Sequence, residues 1–242
     1  MENPIYIALS RQTALRRQMS VVANNIANLN TTGFKKELMV YQAYAEKTPF
    51  TPKMEFVIDQ GTATDHSQGS MQVTHNTFDM AIEGPGYFQV DDGTGTKYTR
   101  NGTFTLDEQN RLVTQEGHPV LDTLGNPILV PLGGTDLDIS PSGELSLADQ
   151  PIGRLGIVEF DDTLSLRKVR NSLFETDAVP APATESRVMQ GMIETSNVQG
   201  IEEMTAMIEV SRAYEAVKSL LDREDKRQET IIHRLARPMQ SV

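Results

Sequence analysis

The sequence contains no cysteine and no tryptophan. The first absence excludes disulfides, thiolate chemistry and Cys-based zinc sites. Aromatic residues make up only 6% of the chain, which sets a limited core against a length of 242 residues. Mean hydropathy is −0.37, and no apolar run approaches the roughly 18 residues of a membrane-spanning helix. Direct insertion into a membrane is therefore not expected. Basic residues are also scarce: 22 Lys and Arg face 33 Asp and Glu, a net charge of −11. Such a surface does not attract phosphate backbones, so no nucleic-acid partner is expected. The opening Met1-Glu2-Asn3-Pro4 lacks a basic n-region and Ile5 to Leu9 is a short apolar stretch. Any export is expected to use a route that reads no cleavable signal peptide.

Charge is unevenly distributed. Residues 1–47 carry a net +3, residues 48–194 a net −13 and residues 195–242 a net −1. The ends and the middle are thus built for different surroundings.

Both ends predict long amphipathic helices. Asn3-Pro4 suits a helix start, with Asn capping free N–H groups and Pro pre-set for the first helical position. Ile5, Ala8, Gln12, Leu15, Met19, Val22, Ile26 and Leu29 then recur at spacings of three and four, a heptad seam with one polar interruption. Residues 28–33, ending on Thr32 and Gly33, stop the pattern. Near the other end Ser196 and Gln199 fit a capping box, with Glu202 and Glu203 close to the helix N-terminus. The stripe there is Met207, Val210, Tyr214, Val217 and Leu221, resumed by Ile231 and Leu235 before Pro238. One narrow seam leaves a lone helix marginal in water, so each helix is expected to need the other and further copies.

The middle reads as short strands. Phe78, Met80 and Ile82, then Phe88 and Val90, then Phe104 and Leu106 alternate with period two. Asn101-Gly102 between Tyr98-Thr99-Arg100 and Thr103-Phe104-Thr105 predicts a tight hairpin. Regular turns at 116–117, 125–127 and 140–143 predict a sandwich or partly open barrel. The expected class is α+β, with terminal helices pairing as a coiled coil around an all-β domain. Its boundaries are 1–47 for the N-terminal helix and turn, 48–75 for an extended connector, 76–194 for the β-domain and 195–242 for the C-terminal helix.

Chemistry-bearing patterns are weak. His66, His75, His118 and His233 are far apart and lack metal-ligand spacing. The Asp91-Asp92-Gly93-Thr94-Gly95 stretch fails the twelve-residue calcium pattern and reads as a solvated hairpin turn. Asp161-Asp162 with Glu159 could supply paired carboxylates for glycoside hydrolysis, although acid pairs at strand ends usually serve turns. No catalytic, cofactor or metal residue is assigned and no cofactor is expected. Arg16-Arg17 and Lys35-Lys36 read as solvated helix-face charges.

Two segments carry a family resemblance. Ala23 through Lys35, with Asn24, Asn25, Asn28, Thr32, Gly33 and Phe34, resembles the N-terminal signature of the flagellar rod and hook family of axial proteins. Ser196-Asn197-Val198, followed by Glu202-Glu203-Met204 and Arg212-Ala213-Tyr214-Glu215, resembles its C-terminal helix. Gly84-Pro85-Gly86-Tyr87-Phe88 and Tyr98 to Gly102 are similar to its β-domain. Length and the opening Asn3 to Arg11 most resemble proximal-rod members, while Ser211 before Arg212 departs from the distal-rod pattern. The resemblance implies a structural, non-enzymatic subunit of the basal-body rod in the periplasm. Its helices would pack into a tube with copies of itself and other rod proteins, its β-domain facing outward. The flagellar type III apparatus would export it, and it would carry torque from motor to hook. The alternatives are a distal-rod or hook-family subunit, a secreted carbohydrate-binding β-module and a hydrolase using Asp161 or Asp162.

Overall fold

A computed structural model of the chain describes residues 3–46, 54–131, 137–148, 150–170 and 172–236. It is α+β, with two long helices flanking a β-rich region. Contacts divide the chain into two units: the described parts of 1–27, 37–63 and 199–242 form one, and those of 28–36 and 64–198 the other. That division differs from the sequence boundaries. The β-rich unit takes in the 28–36 segment and begins at 64 rather than 76.

The helical unit holds α1 (Asn3–Ala27), β1 (Glu37–Glu46), β2 (Met54–Thr64) and α2 (Gly200–Ala236). The α1 and α2 helices pack along one another, and β1 packs on α1. The β1 and β2 strands form a two-stranded sheet of their own. Sequence reading did not predict this pair, because the stretch that supplies β2 has little alternation. Leu29, expected in the α1 seam, lies past the helix end and in the other unit.

The second unit is the β-body. Its strands are β3 (Met71–Val73), β4 (Met80–Glu83), β5 (Tyr87–Asp91), β6 (Thr96–Thr99), β7 (Phe104–Leu106), β8 (Leu112–Thr114), β9 (Leu137–Ile139), β10 (Glu144–Leu147), β11 (Gln150–Arg154), β12 (Ile157–Glu159), β13 (Arg167–Lys168), β14 (Leu173–Glu175), β15 (Ala181–Pro182), β16 (Arg187–Gln190) and β17 (Met192–Glu194). The largest sheet runs β13-β14-β6-β5-β12-β15. Around it lie β11-β10-β9, β16-β4, β17-β3 and β7-β8.

Side chains alternate across a strand, and in this sheet both faces are buried. Phe88, Val90 and Leu173 enter one cluster with Met80, Ile82, Phe104, Leu112 and Leu145. Their chain neighbours Tyr87 and Phe174 enter another with Tyr98, Phe160 and Leu166. That second cluster is a set of edge-on rings, with Tyr98 and Phe160 centroids 4.8 Å apart.

Two local expectations fail. Asn101-Gly102 does not turn a hairpin: β6 pairs with β5 and β14, and β7 pairs with β8. Gly102 instead lies against β4, where its carbonyl accepts from Met80 N at 2.9 Å and a Cβ would overlap the Met80 carbonyl. Ser196 and Gln199 form no capping box. Ser196 Oγ accepts from Val198 N at 3.2 Å, and α2 starts at Gly200 with Gln199 O accepting from Glu203 N. At Gly102 a tertiary contact overrides the local signal, whereas at Ser196 the side chain bonds within its own turn and the helix begins four residues later. The Asp91 to Gly95 turn does join β5 to β6, with Asp91 and Asp92 carboxylates accepting from Gly93 N and Thr94 N.

Candidate assembly interface

The seam residues grade from buried to exposed. Val22 and Val210 are buried together with Ala8. Leu15, Met19, Ile26, Met207, Tyr214, Val217 and Leu221 are half-buried. Beyond Leu221 the stripe opens: Ile231 is 44% exposed, and the Leu235 side chain lies outside the described residues. One polar contact holds the pair at depth. Asn25, only 1% exposed, donates to Glu203 Oε2 at 3.1 Å and to Glu37 O at 2.9 Å. Its own Oδ1 accepts from Glu37 N at 3.0 Å. Asn24 donates to Glu37 Oε1 at 3.4 Å, and Arg212 is exposed.

The helices also leave apolar surface uncovered. Ile201, Met204 and Ile208, at spacings of three and four on α2, are 84%, 54% and 53% exposed. Tyr6 and Leu9 on α1 are 62% and 51% exposed. The exposed apolar residues on α2, one helical turn apart, are a candidate association surface.

The remaining signature residues belong to the β-body. Asn28 Oδ1 accepts from Thr31 Oγ1 at 3.1 Å, and Thr32 is half-buried. Gly33 adopts φ 65°, where a Cβ would overlap the Arg100 and Asn101 backbone, and its N–H donates to Glu194 O at 2.8 Å. Phe34 is buried under the Lys168 ammonium, 3.6 Å from the ring centroid. Asn197 ties three segments together: its Oδ1 accepts from Lys36 N at 2.7 Å, and its Nδ2 donates to Asp65 O and Ser67 O.

Beside these lies a buried ionic node. The Glu194 carboxylate accepts from Lys35 Nζ at 2.6 Å, Gly69 N at 2.9 Å and Arg100 Nη1 at 3.4 Å. Lys35 also donates to Ser67 O, and Arg100 to Ile82 O and Gly84 O. The Arg100 guanidinium stacks 4.8 Å from the Tyr87 ring centroid. Burial lowers the Lys35 pKa against the pull of Glu194. His66 is pushed down to about 4, first by burial and then by Lys35 and Arg100. Its Nδ1 sits 2.7 Å from the Tyr87 hydroxyl, whose own pKa burial raises to about 12. Sequence reading treated Lys35 as a solvated surface charge and assigned Glu194 no role. The correction is that both side chains are fully buried. An available signal was that Lys35 and Arg100 both fall inside the segments that carry the family resemblance.

Of the carboxylates weighed for hydrolysis, Asp162 and Glu159 accept hydrogen bonds from the backbone and Asp161 is exposed. Asp162 Oδ1 caps a short 3-10 turn by accepting from Leu164 N at 2.9 Å. Glu159 Oε1 accepts from Ser186 Oγ, Ser186 N and Glu185 N. Among the described residues no group of His, Asp and Glu is arranged to hold a metal ion. The carbohydrate-binding alternative expects a groove lined by acidic residues, whereas an open groove of about 450 Å³ is lined by Arg154, Arg187, Ser142 and Thr184 among others, with no acidic side chain.

A long helix pair with exposed apolar side chains, carried by a chain that also builds a β-body and shows no metal-holding cluster among the described residues, fits the class of structural assembly subunits. Comparison with known proteins makes the class specific. Residues 5–35 match the family described as "Flagella basal body rod protein". Residues 81–147 match "Flagellar hook protein FlgE/F/G D1 domain", and 189–234 match "Flagellar basal body rod FlgEFG protein C-terminal". The flagellar basal-body rod protein FlgF of Caulobacter vibrioides is 41% identical over 98% of this chain and 99% of its own length. FlgF of Mesorhizobium japonicum is 34% identical over 91% of this chain and 92% of its own length. FlgG of Bacillus subtilis is 30% identical over 93% of this chain and 96% of its own length. The chain belongs to the flagellar basal-body rod protein family and is FlgF-like.

Proposed function

We propose that the chain is a structural subunit of the bacterial flagellar basal-body rod that passes torque from motor to hook. The observation that carries this reading is end-to-end similarity to FlgF proteins, with family matches on both terminal helices and on the body. On this reading α1 and α2 pair as a coiled coil whose outer apolar face, including Ile201, Met204 and Ile208, is covered by further copies and by other rod proteins. A heterologous contact of that kind adds subunits without closing a ring. The body, with both faces of its main sheet buried, serves as a sandwich-like or partly open barrel unit. The subunit works in the periplasm and reaches it through the flagellar type III export apparatus without a cleavable signal. It has no enzymatic role.

Assembly tests this directly. Ile26→Asp or Val217→Asp places a charge in the helix seam and is expected to abolish incorporation into rods and motility, while the body keeps its unfolding transition. Normal rods in both variants would refute the interface.

A further inference from the structure

The β-body is discontinuous in sequence, and its ionic node collects groups from four distant stations. Lys35 comes from the segment before the helical unit's strands, Gly69 from the stretch before β3, Arg100 from the end of β6, and Glu194 from the last strand of the body. Lys35 and Glu194 are 159 residues apart yet in direct contact. Their side chains are 0% exposed and that of Arg100 is 2% exposed. Two cations therefore share one buried carboxylate. Without it, closing the body would bury two like charges with no counter-ion, which is strongly unfavourable. The same chain end also completes the sheets. The β16 strand pairs with β4, β17 pairs with β3, and Asn197 fastens Lys36, Asp65 and Ser67.

We propose that Glu194 is a closure lock. The body does not reach its stable fold until the segment carrying Glu194 to Asn197 is available, and it then closes in one step around Lys35 and Arg100. A chain still being made remains open until that segment emerges. This goes beyond the rod reading and does not depend on it, because it concerns one unit of the free chain.

Pulse-labelled hydrogen exchange during refolding of the full chain tests the lock. Amides of β4, β5 and β6 are expected to gain protection with the same time constant as residues 33–35 and 194–197. Stable protection of the β5-β6 hairpin while 33–35 and 194–197 still exchange would overturn the proposal. A second measurement uses Glu194→Gln in the full chain at equilibrium. Exchange of β4, β5 and β6 is expected to accelerate together with 33–35, on the order of 100-fold or more, the scale of removing one partner from a buried charge pair. Acceleration confined to 33–35 and 192–197, with β5 and β6 unchanged, would equally refute it. Adding Lys35→Met to that variant is expected to recover part of the protection, since it removes one uncompensated cation; a further loss of protection would count against the lock.

Discussion

The helical unit and the β-body bury different things. Within the body, large side chains such as Phe88, Phe174, Leu112 and Leu145 are completely enclosed, and buried Lys35 and Arg100 both pair with Glu194. The helical unit has little apolar burial along its seam, with Ala8, Val22 and Val210, and it surrounds that line with half-buried and exposed apolar positions. One unit finishes its core within a single chain. The other leaves apolar side chains of its helices, such as Ile201, Met204 and Ile208, exposed in the single chain.

The largest expected effect tests the finished core. Phe88→Ala removes a fully buried ring that packs edge-on 5.2 Å from Phe104, and is expected to destabilise the body by about 3–5 kcal/mol. A urea titration followed by body-specific exchange would measure it, with the amides of α1 and α2 unaffected. Equal loss in the helices would break the comparison. A smaller effect is expected at Asn25→Ala, which removes a donor to Glu203 and the bond to Glu37 N. Helix opening should become easier by about 1–3 kcal/mol in hydrogen exchange, and the body midpoint should hold. If the body midpoint moved as well, the two units would not be independent.

The last effect is a pH dependence confined to the body. His66 in the folded chain resists protonation until about pH 4, whereas the unfolded chain takes up the proton near its ordinary value of 6.5. The unfolded state therefore binds more protons in that window, and stability falls as pH drops from about 6.5 toward 4. His66→Phe should flatten that part of the body's stability profile. An unchanged slope would assign the acid sensitivity to other groups.

Much of the helical unit was legible because its signal is periodic and local. Spacings of three and four located α1 and α2, and Pro4 lies within the first turn of α1. The body was legible as strands but not as a network. Asn101-Gly102 carries the local signature of a tight turn, yet burial of Arg100 and the approach of Gly102 to Met80 are set by residues far away. Lys35 and Glu194 show the same limit more sharply. Charge in a sequence defaults to solvent, and only the fold shows that these two meet. The β1-β2 pair escaped because the alternation of Met54, Phe56 and Ile58 is short and runs into Gln60-Gly61-Thr62, so the stretch reads as a connector.

Gly33 and Gly102 each sit where a single added carbon would run into the backbone of another segment. At these two points backbone meets backbone without clearance, so any side chain there would have to push two segments of the body apart, and the two positions admit glycine alone.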